Sequence, residues 1–314
     1  MKNIKEFCKL FKVNIPLESE SQYYLETLSL SKEYKDISDL ANAYTEFENW
    51  VERQGYNSVK EYKFQCLDKI VDFVKISSSY KKFDNLDYSS HKFFTKDNYG
   101  KWYEEQLKTK KPDYLLSFDL SSANFNTINY FGSELGESWE HMCKNLYVHP
   151  ILIASKSFRQ IVFGNLNPKR NGKIQLMSMN KVALAMDDDG HGDRVVSINN
   201  DEICMSLPSV LCDQLGFEKA IKVFFDIKKL LPESKPTKIT VYAVKKLGKG
   251  MFKKVVLFQE GLKDEDRYVT LSGVPGNKFY RYFKTEVLNK ELEERDLFFV
   301  NEGGLAKWVL DIDN

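Results

Sequence analysis

The stretch VVSINNDEICMSL, residues 195–207, constrains the fold most, because it predicts two strands joined by a tight turn. Both arms are apolar, and Asn199, Asn200, Asp201 and Glu202 stand between them. Asn200 and Asp201 tolerate positive φ, so a type I′ turn accounts for the corner. It does not account for two consecutive carboxylates, which strand alternation would direct to opposite faces. We therefore expect Asp201 to contribute to a site and Glu202 to support it.

The composition places the chain among folded globular proteins. Its 314 residues are 42% hydrophobic and 14% aromatic, enough for one large domain or two modest ones. The formal net charge is +1, so affinity for nucleic acid would have to come from local patches. The five cysteines form no Cys-x-x-Cys pair, which argues against a disulfide framework and a zinc ribbon. No apolar run is long enough for a membrane span, so we expect a soluble intracellular protein with no membrane partner.

The hydrophobic pattern predicts an α+β fold in three regions. Residues 1–110 are expected to form a helical N-terminal region. Residues 111–216 alternate strand–helix and strand–turn–strand patterns, which predicts a sheet with helices. Residues 217–314 begin with a basic helical stretch and continue as short strands, which predicts a small β-rich C-terminal subdomain.

The sequence predicts two helices in the first region, together with one residue that ends the first helix and one that begins the second. Apolar residues recur at helical spacing over 38–56 and over 58–76. Gly55 is expected to end the first helix and Ser58 to cap the second.

An acidic residue, Asp119, ends the apolar strand predicted over 114–118 and precedes a helix whose first turn contains Ser121 and Ser122. A carboxylate at the rim of a buried strand is costly unless a partner compensates it, and a divalent cation is such a partner. The alternative is that Asp119 caps the following helix, because Asp is a favoured N-cap residue.

Between these two acidic stretches, KSFRQIVFG carries Lys156, Arg159 and Phe163 at intervals of three and four residues. One helix face would then present two cations followed by an aromatic ring, which suits a triphosphate with its base stacked beyond it. The alternative is a solvated basic face with Phe163 in the core.

In this order the three stretches resemble motifs A, B and C of palm-fold nucleic-acid polymerases. The likeness is closest to family A DNA polymerases and the single-subunit phage RNA polymerases. The run LSFDLSS, residues 116–122, resembles motif A, and Arg159 with Phe163-Gly164 resembles motif B. Asn200-Asp201-Glu202 between apolar strands resembles motif C, with Asn in place of His. The resemblance covers residues 112–208.

Motif B and the sugar position depart from the family pattern. Ser155 stands at the first basic position of motif B, with Lys156 beside it, and Asn167 stands at an aromatic position. Asn124 occupies the position that contacts the incoming sugar in the family and matches neither the DNA nor the RNA enzymes.

The resemblance implies a palm-like antiparallel sheet and a nucleotidyltransferase that extends a nucleic-acid 3′ end from nucleoside triphosphates. Asp119, Asp201 and Glu202 would be catalytic in a two-metal mechanism, with Asp119 and Asp201 holding two Mg²⁺ or Mn²⁺ ions. The nucleotide would be bound by Lys156, Arg159, Phe163 and Asn124. Two alternatives remain: a catalytically inactive palm-fold protein that binds nucleic acid or serves in assembly, and a chance likeness in an unrelated α+β protein.

A lysine-rich stretch follows motif C. Between Lys219 and Lys254 there are eleven lysines and only two acidic residues. Such a stretch can bind a phosphate backbone without sequence preference, as a thumb-like subdomain would. The lysines expected to do so are Lys245, Lys246, Lys249, Lys253 and Lys254. The alternative is a solvated helix followed by a hairpin with lysine-protected edges. The abundance of Lys, Asn, Tyr and Phe also suggests an AT-rich coding genome, and so a virus-encoded protein.

Overall fold

The computed structural model of the protein describes residues 1–91, 99–188, 190–224, 237–301 and 304–308. Within them the chain is a mixture of helices with an antiparallel six-stranded sheet, so the predicted α+β class is confirmed. The α-helices are α1 (Ile4–Phe11), α2 (Ser21–Ser29), α3 (Ile37–Arg53), α4 (Val59–Ile76), α5 (Ser78–Asn85), α6 (Tyr99–Gln106), α7 (Ala123–Asn129), α8 (Trp139–Asn145), α9 (Pro150–Ala154), α10 (Lys156–Gly164), α11 (Pro168–Asp188), α12 (Ser209–Leu215), α13 (Phe217–Phe224) and α14 (Gly276–Tyr282).

The strands form one large sheet and one hairpin. They are β1 (Tyr114–Leu120), β2 (Val195–Ile198), β3 (Glu202–Leu207), β4 (Thr237–Gly248), β5 (Met251–Gln259), β6 (Val269–Ser272), β7 (Phe298–Asn301) and β8 (Gly304–Lys307). The large sheet has the order β2-β3-β1-β4-β5-β6, and β7 pairs with β8.

The arrangement of the first four strands brings the acidic stretches together. β1 pairs antiparallel with both β3 and β4, and β2 pairs antiparallel with β3. Helices connect β1 to the β2–β3 hairpin and that hairpin to β4, which is a split β-α-β-β-α-β arrangement. Because the hairpin returns to the edge of β1, strands that are distant in sequence become neighbours.

Apolar side chains cover the first four strands on both faces. On one face Leu116, Phe118 and Met205 belong to a buried cluster that includes the apolar side of α11. On the other face Leu115 and Cys204 pack with residues that include the ring of α6 residue Trp102. Burial on both faces explains why the arms of the predicted hairpin are continuously apolar.

The helix ends predicted in the first region are confirmed. Helices α3 and α4 occupy the two predicted segments, and Gly55 follows α3 with φ +84°. The Ser58 hydroxyl accepts a hydrogen bond from the Glu61 amide at 3.2 Å, as an N-cap residue does.

The chain divides into two compact units, and their limits differ from the predicted boundaries at 110 and 216. The first unit contains residues 1–62, 245–256 and 265–314, and the second contains 63–244 and 257–264. The second unit includes α5 because Glu134 accepts a hydrogen bond from the Ser78 amide at 2.7 Å, and Asn167 donates one to Asp84 at 2.9 Å. These long-range contacts cannot be inferred from local composition.

Two further predictions concern the helices. The basic helix predicted after residue 216 is described as α13, and the rest of that stretch, 225–236, lies outside the described residues. Within the part of the chain that the structure describes, no helix combines the length and the apolar character needed to cross a membrane.

Candidate active site

A polar cleft of about 280 Å³ lies in the second unit, at the end of β1 and the tip of the β2–β3 hairpin. Its charged and amide-bearing lining residues are Asp119, Asn124, Lys156, Arg159, Gln160, Asp201 and Lys238. The structure therefore brings together five of the residues expected from sequence to form a nucleotide and metal site.

Pairing between β1 and β3 positions the two aspartates. Asp119 is the last but one residue of β1, and Asp201 immediately precedes β3. The Leu120 amide donates a hydrogen bond to the Asp201 carbonyl oxygen at 2.8 Å, which extends the ladder into the turn. Asp119 and Asp201 therefore lie at the ends of adjacent strands.

The predicted type I′ turn is wrong. The Asn199 amide donates to the Glu202 carbonyl oxygen at 2.8 Å, so the corner is tight, but neither Asn200 nor Asp201 has positive φ. The hydrogen bond from Leu120 to Asp201 explains the difference, because it holds Asp201 as a continuation of β3. One residue of the turn, Asp201, therefore takes part in the pairing with β1.

Glu202 lies on the same sheet face as Asp119, because the two residues are directly opposite each other in the β1–β3 register. The Ser117 hydroxyl donates a hydrogen bond to Glu202 Oε1 at 2.5 Å. Glu202 does not line the cleft. The expectation that at most one of Asp201 and Glu202 shares a metal site with Asp119 stays a prediction, and Asp201 is the one of the two that lines the cleft.

Burial and like charges raise the pKa of Asp119. Burial is the largest cause, and the nearby carboxylates of Asp201 and Glu202 add to it, whereas Lys156 and Lys238 act in the opposite direction. The result is a pKa of about 6, compared with an ordinary value of 3.8. Among the residues that the structure describes, no donor hydrogen-bonds either the Asp119 or the Asp201 carboxylate.

The capping alternative for Asp119 does not describe the structure. Helix α7 begins at Ala123, and Ser122 occupies the N-cap position with φ +47°. Asp119 remains within β1, where it lines the cleft.

Helix α10 directs two cations to the cleft. It begins at Lys156 because the Ser155 hydroxyl accepts a hydrogen bond from the Phe158 amide at 3.0 Å. Lys156 is exposed, and Arg159 lies 4.0 Å from Glu140, measured between Nη1 and Oε1. Lys156 forms no ion pair with any carboxylate in the described part of the chain. Its charge is therefore available to a ligand.

Phe163 lies in the core and does not line the cleft. Its side chain is 2% exposed, and its ring centroid is 5.8 Å from that of Trp139. This position corresponds to the alternative given for it from sequence. The ring lies on the apolar side of α10, which faces the core. It therefore provides no stacking surface for a base in the cleft.

Asn124 lines the cleft and is held by two polar residues of α11. Gln175 Nε2 donates to Asn124 Oδ1 at 2.9 Å, and Asn171 Nδ2 donates to the Asn124 carbonyl oxygen at 3.2 Å. Gln175 and Asn171 are buried and are joined by a hydrogen bond of 2.6 Å. The first turn of α7 is thereby fixed to α11.

Sequence reasoning missed Lys238 as a residue of this site. Lys238 is directly opposite Asp119 in the β1–β4 register and lines the cleft. The lysine-rich composition around it is visible in the sequence, but the register that selects Lys238 from its neighbours is not.

The five lysines expected to bind nucleic acid belong to the first unit, on or between β4 and β5. Lys245 Nζ and Lys253 Nζ lie 3.0 and 3.6 Å from Glu286 Oε2. Lys249 is exposed in the turn between the two strands, and Lys246 and Lys254 lie on β4 and β5. Lys245 and Lys253 are therefore paired with a carboxylate, and the role of all five lysines with nucleic acid stays a prediction.

The donor set suits Mg²⁺ only in part. The described residues contain no cluster of three or more His, Cys, Asp or Glu that could hold a metal ion. Asp119 and Asp201 are the two carboxylates among the described residues that line the cleft, and carboxylate oxygens are hard ligands. Mg²⁺ is commonly bound by one or two carboxylates together with substrate phosphates. A divalent cation would favour the charged form of Asp119, which burial and the carboxylates of Asp201 and Glu202 disfavour. The residues therefore fit Mg²⁺ bound jointly with a phosphate ligand.

No match to the chain was found among protein-family models, curated proteins or solved structures.

Proposed function

We propose that the chain is a compact nucleotidyltransferase with a palm-like core, which extends a nucleic-acid 3′ end from nucleoside triphosphates. One observation carries the proposal: a single cleft holds two carboxylates without hydrogen-bond donors and two lysines without ion pairs among the described residues. Opposite charges that share a cleft without pairing fit a ligand set that contains both a cation and an anion.

The two carboxylates would serve the cation. Asp119 and Asp201 are the residues that would hold Mg²⁺ or Mn²⁺. The bound ion supplies charge neutralisation on the phosphates and increases the acidity of the attacking hydroxyl. Glu202 would support this pair indirectly, since it lies beside Asp119 and is oriented by Ser117.

The remaining polar residues would bind and orient the nucleotide. Lys156 and Arg159 provide positive charge for the triphosphate from the first two turns of α10. Asn124 Oδ1 accepts a hydrogen bond from Gln175 Nε2. The Asn124 side-chain nitrogen, Nδ2, is therefore the atom that would donate to a ligand. Phosphoryl transfer depends mainly on such positioning and charge neutralisation.

The order of the segments supports the same function. One cleft is lined by residues from all three segments that resemble the motifs. They are the acid of the motif A segment, the cations of the motif B segment and the acid of the motif C segment. A chance likeness gives no reason for three separate stretches to meet. Nucleic acid and nucleoside triphosphates as partners, an intracellular location and a viral origin belong to this proposal and rest on sequence.

A second candidate is a palm-fold protein that binds nucleic acid without catalysis. Two observations favour it: Phe163 lies in the core, and the cleft contains no third carboxylate. Both would be expected if the nucleotide site were no longer used for chemistry.

The test is incorporation of labelled NTPs and dNTPs onto DNA and RNA primers, with and without template, in Mg²⁺ or Mn²⁺. We compare wild type with Asp119→Ala, Asp201→Ala and Asp72→Ala, an exposed carboxylate on α4 that serves as the matched control. We expect incorporation by wild type and the control only, with a loss of at least about a thousandfold in the other two. Nucleic-acid binding without incorporation by wild type would favour the second candidate.

A further inference from the structure

Lys238 occupies a distinctive place in the sheet. It is the second residue of β4 and lies directly opposite Asp119 across the β1–β4 ladder. Directly opposed residues of an antiparallel pair project from the same face, and both of these residues line the cleft. Lys238 therefore lies beside Asp119 in the lining of the cleft.

Lys238 does not neutralise that aspartate by direct contact. Its ammonium group forms no ion pair and no hydrogen bond with the residues described by the structure. Its charge acts on Asp119 only through space, since it offsets part of the rise in the pKa of Asp119. A half-buried lysine that lines a cleft without a carboxylate partner retains its capacity to bind an anion.

The other cations of the cleft come from a different element. Lys156 and Arg159 are on α10, and Lys238 is on β4. Positive groups from two elements therefore converge on one cleft of about 280 Å³. A polyphosphate chain carries several negative oxygens that can contact cations from both elements at once.

We propose that Lys238 binds the polyphosphate of the nucleoside triphosphate, as a third cation beside Lys156 and Arg159. The inference rests on the proposed function, because it takes the cleft to be the nucleotide site. Phosphoryl oxygens occur both in free polyphosphate and in a nucleic-acid backbone, and the convergence of cations from two elements on one cleft favours the free polyphosphate, whose phosphoryl groups are consecutive.

Calorimetric titration with inorganic tripolyphosphate, with and without Mg²⁺, tests this without requiring activity. The variants are Lys238→Met, Lys238→Arg and Lys181→Met, an exposed lysine on α11 that serves as the matched loss of charge. We expect Lys238→Met to weaken tripolyphosphate binding about tenfold, at the low end for a charge-assisted contact. Lys238→Arg should retain most of the affinity, and Lys181→Met all of it.

An oligonucleotide with a 5′-hydroxyl end distinguishes the two sources of phosphate. We expect Lys238→Met to leave its affinity unchanged, and a loss confined to the oligonucleotide would overturn the proposal. A wild-type affinity for tripolyphosphate equal to that of Lys238→Met would overturn it as well.

Lysine acetylation read by mass spectrometry gives the same test on wild type, should Lys238→Met fail to fold. Tripolyphosphate should protect Lys238 and leave Lys181 unprotected, and equal labelling of Lys238 with and without the anion would refute the assignment.

Polyphosphate binding that depends on Lys238 without any incorporation would refute the proposed function alone. Incorporation that needs Asp119 while Lys238→Met changes neither affinity nor KM would refute this inference alone.

Discussion

Replacing Asp119 with Asn should stabilise the metal-free protein at neutral pH. The folded-state pKa of Asp119 is about 6, above its ordinary value of 3.8, because burial and two neighbouring carboxylates disfavour the charged form. The folded protein then binds this proton more tightly than the unfolded chain does. The free energy of unfolding should therefore fall as the pH rises from about 4 through about 6.

The magnitude follows from the shift. A rise of about two pKa units corresponds to about 3 kcal/mol for a fully desolvated group. Asp119 is only half-buried, and screening by water reduces this to about 1–2 kcal/mol. We expect Asp119→Asn to raise the free energy of unfolding by that amount at pH 7.5, and by almost nothing at pH 4.

Urea denaturation in EDTA at the two pH values measures the effect. Asp72→Asn, which removes an exposed carboxylate of α4, should change stability by less than about 0.5 kcal/mol at both. Adding Mg²⁺ should reverse the order, because an ion at 100 times its Kd adds about 2.7 kcal/mol to wild type and not to Asp119→Asn. A variant that is less stable than wild type in EDTA at pH 7.5 would refute the statement that burial and the neighbouring carboxylates disfavour the charged form of Asp119.

Two predictions concern the first unit. Gly273 has φ +71°, and a Cβ there would lie 1.9 Å from the Gly250 carbonyl oxygen, so Gly273→Ala should cost more than about 3 kcal/mol in urea denaturation. Gly250→Ala, at φ +71° with open space around it, should cost only about 1 kcal/mol, and equal losses would contradict the steric argument. Lys284 is 3% exposed and bonded to Asp296, which is 1% exposed, so Lys284→Met should destabilise by about 3–5 kcal/mol because it leaves a buried carboxylate without its cation. A thermal melt unchanged by Lys284→Met would refute this.

Local signals in the sequence predicted the elements well. Helical spacing located α3 and α4, and the capping side chain of Ser58 was found from its position alone. The two apolar arms around residues 199–202 predicted the β2–β3 hairpin. These features depend on residues within one or two turns of each other, so the chain order contains the information.

Side-chain direction was predicted less well, because it depends on packing. Lys156, Arg159 and Phe163 share a helical spacing, yet the cations line the cleft and the ring packs on Trp139. The apolar side of α10 is selected by what covers it, which periodicity does not reveal. The limits of the two compact units likewise follow from long-range contacts.

The sequence by itself determined the α+β class, the hairpin, and the presence of acids at two predicted strand ends. Only the tertiary structure decided that Asp119 and Asp201 share a cleft, that Glu202 lies beside Asp119, and that Lys238 completes the charged lining. The physical reason is strand register, because a shift of one residue moves every side chain to the other face. Register is set by pairing between strands that are far apart in the chain, and no local pattern encodes it.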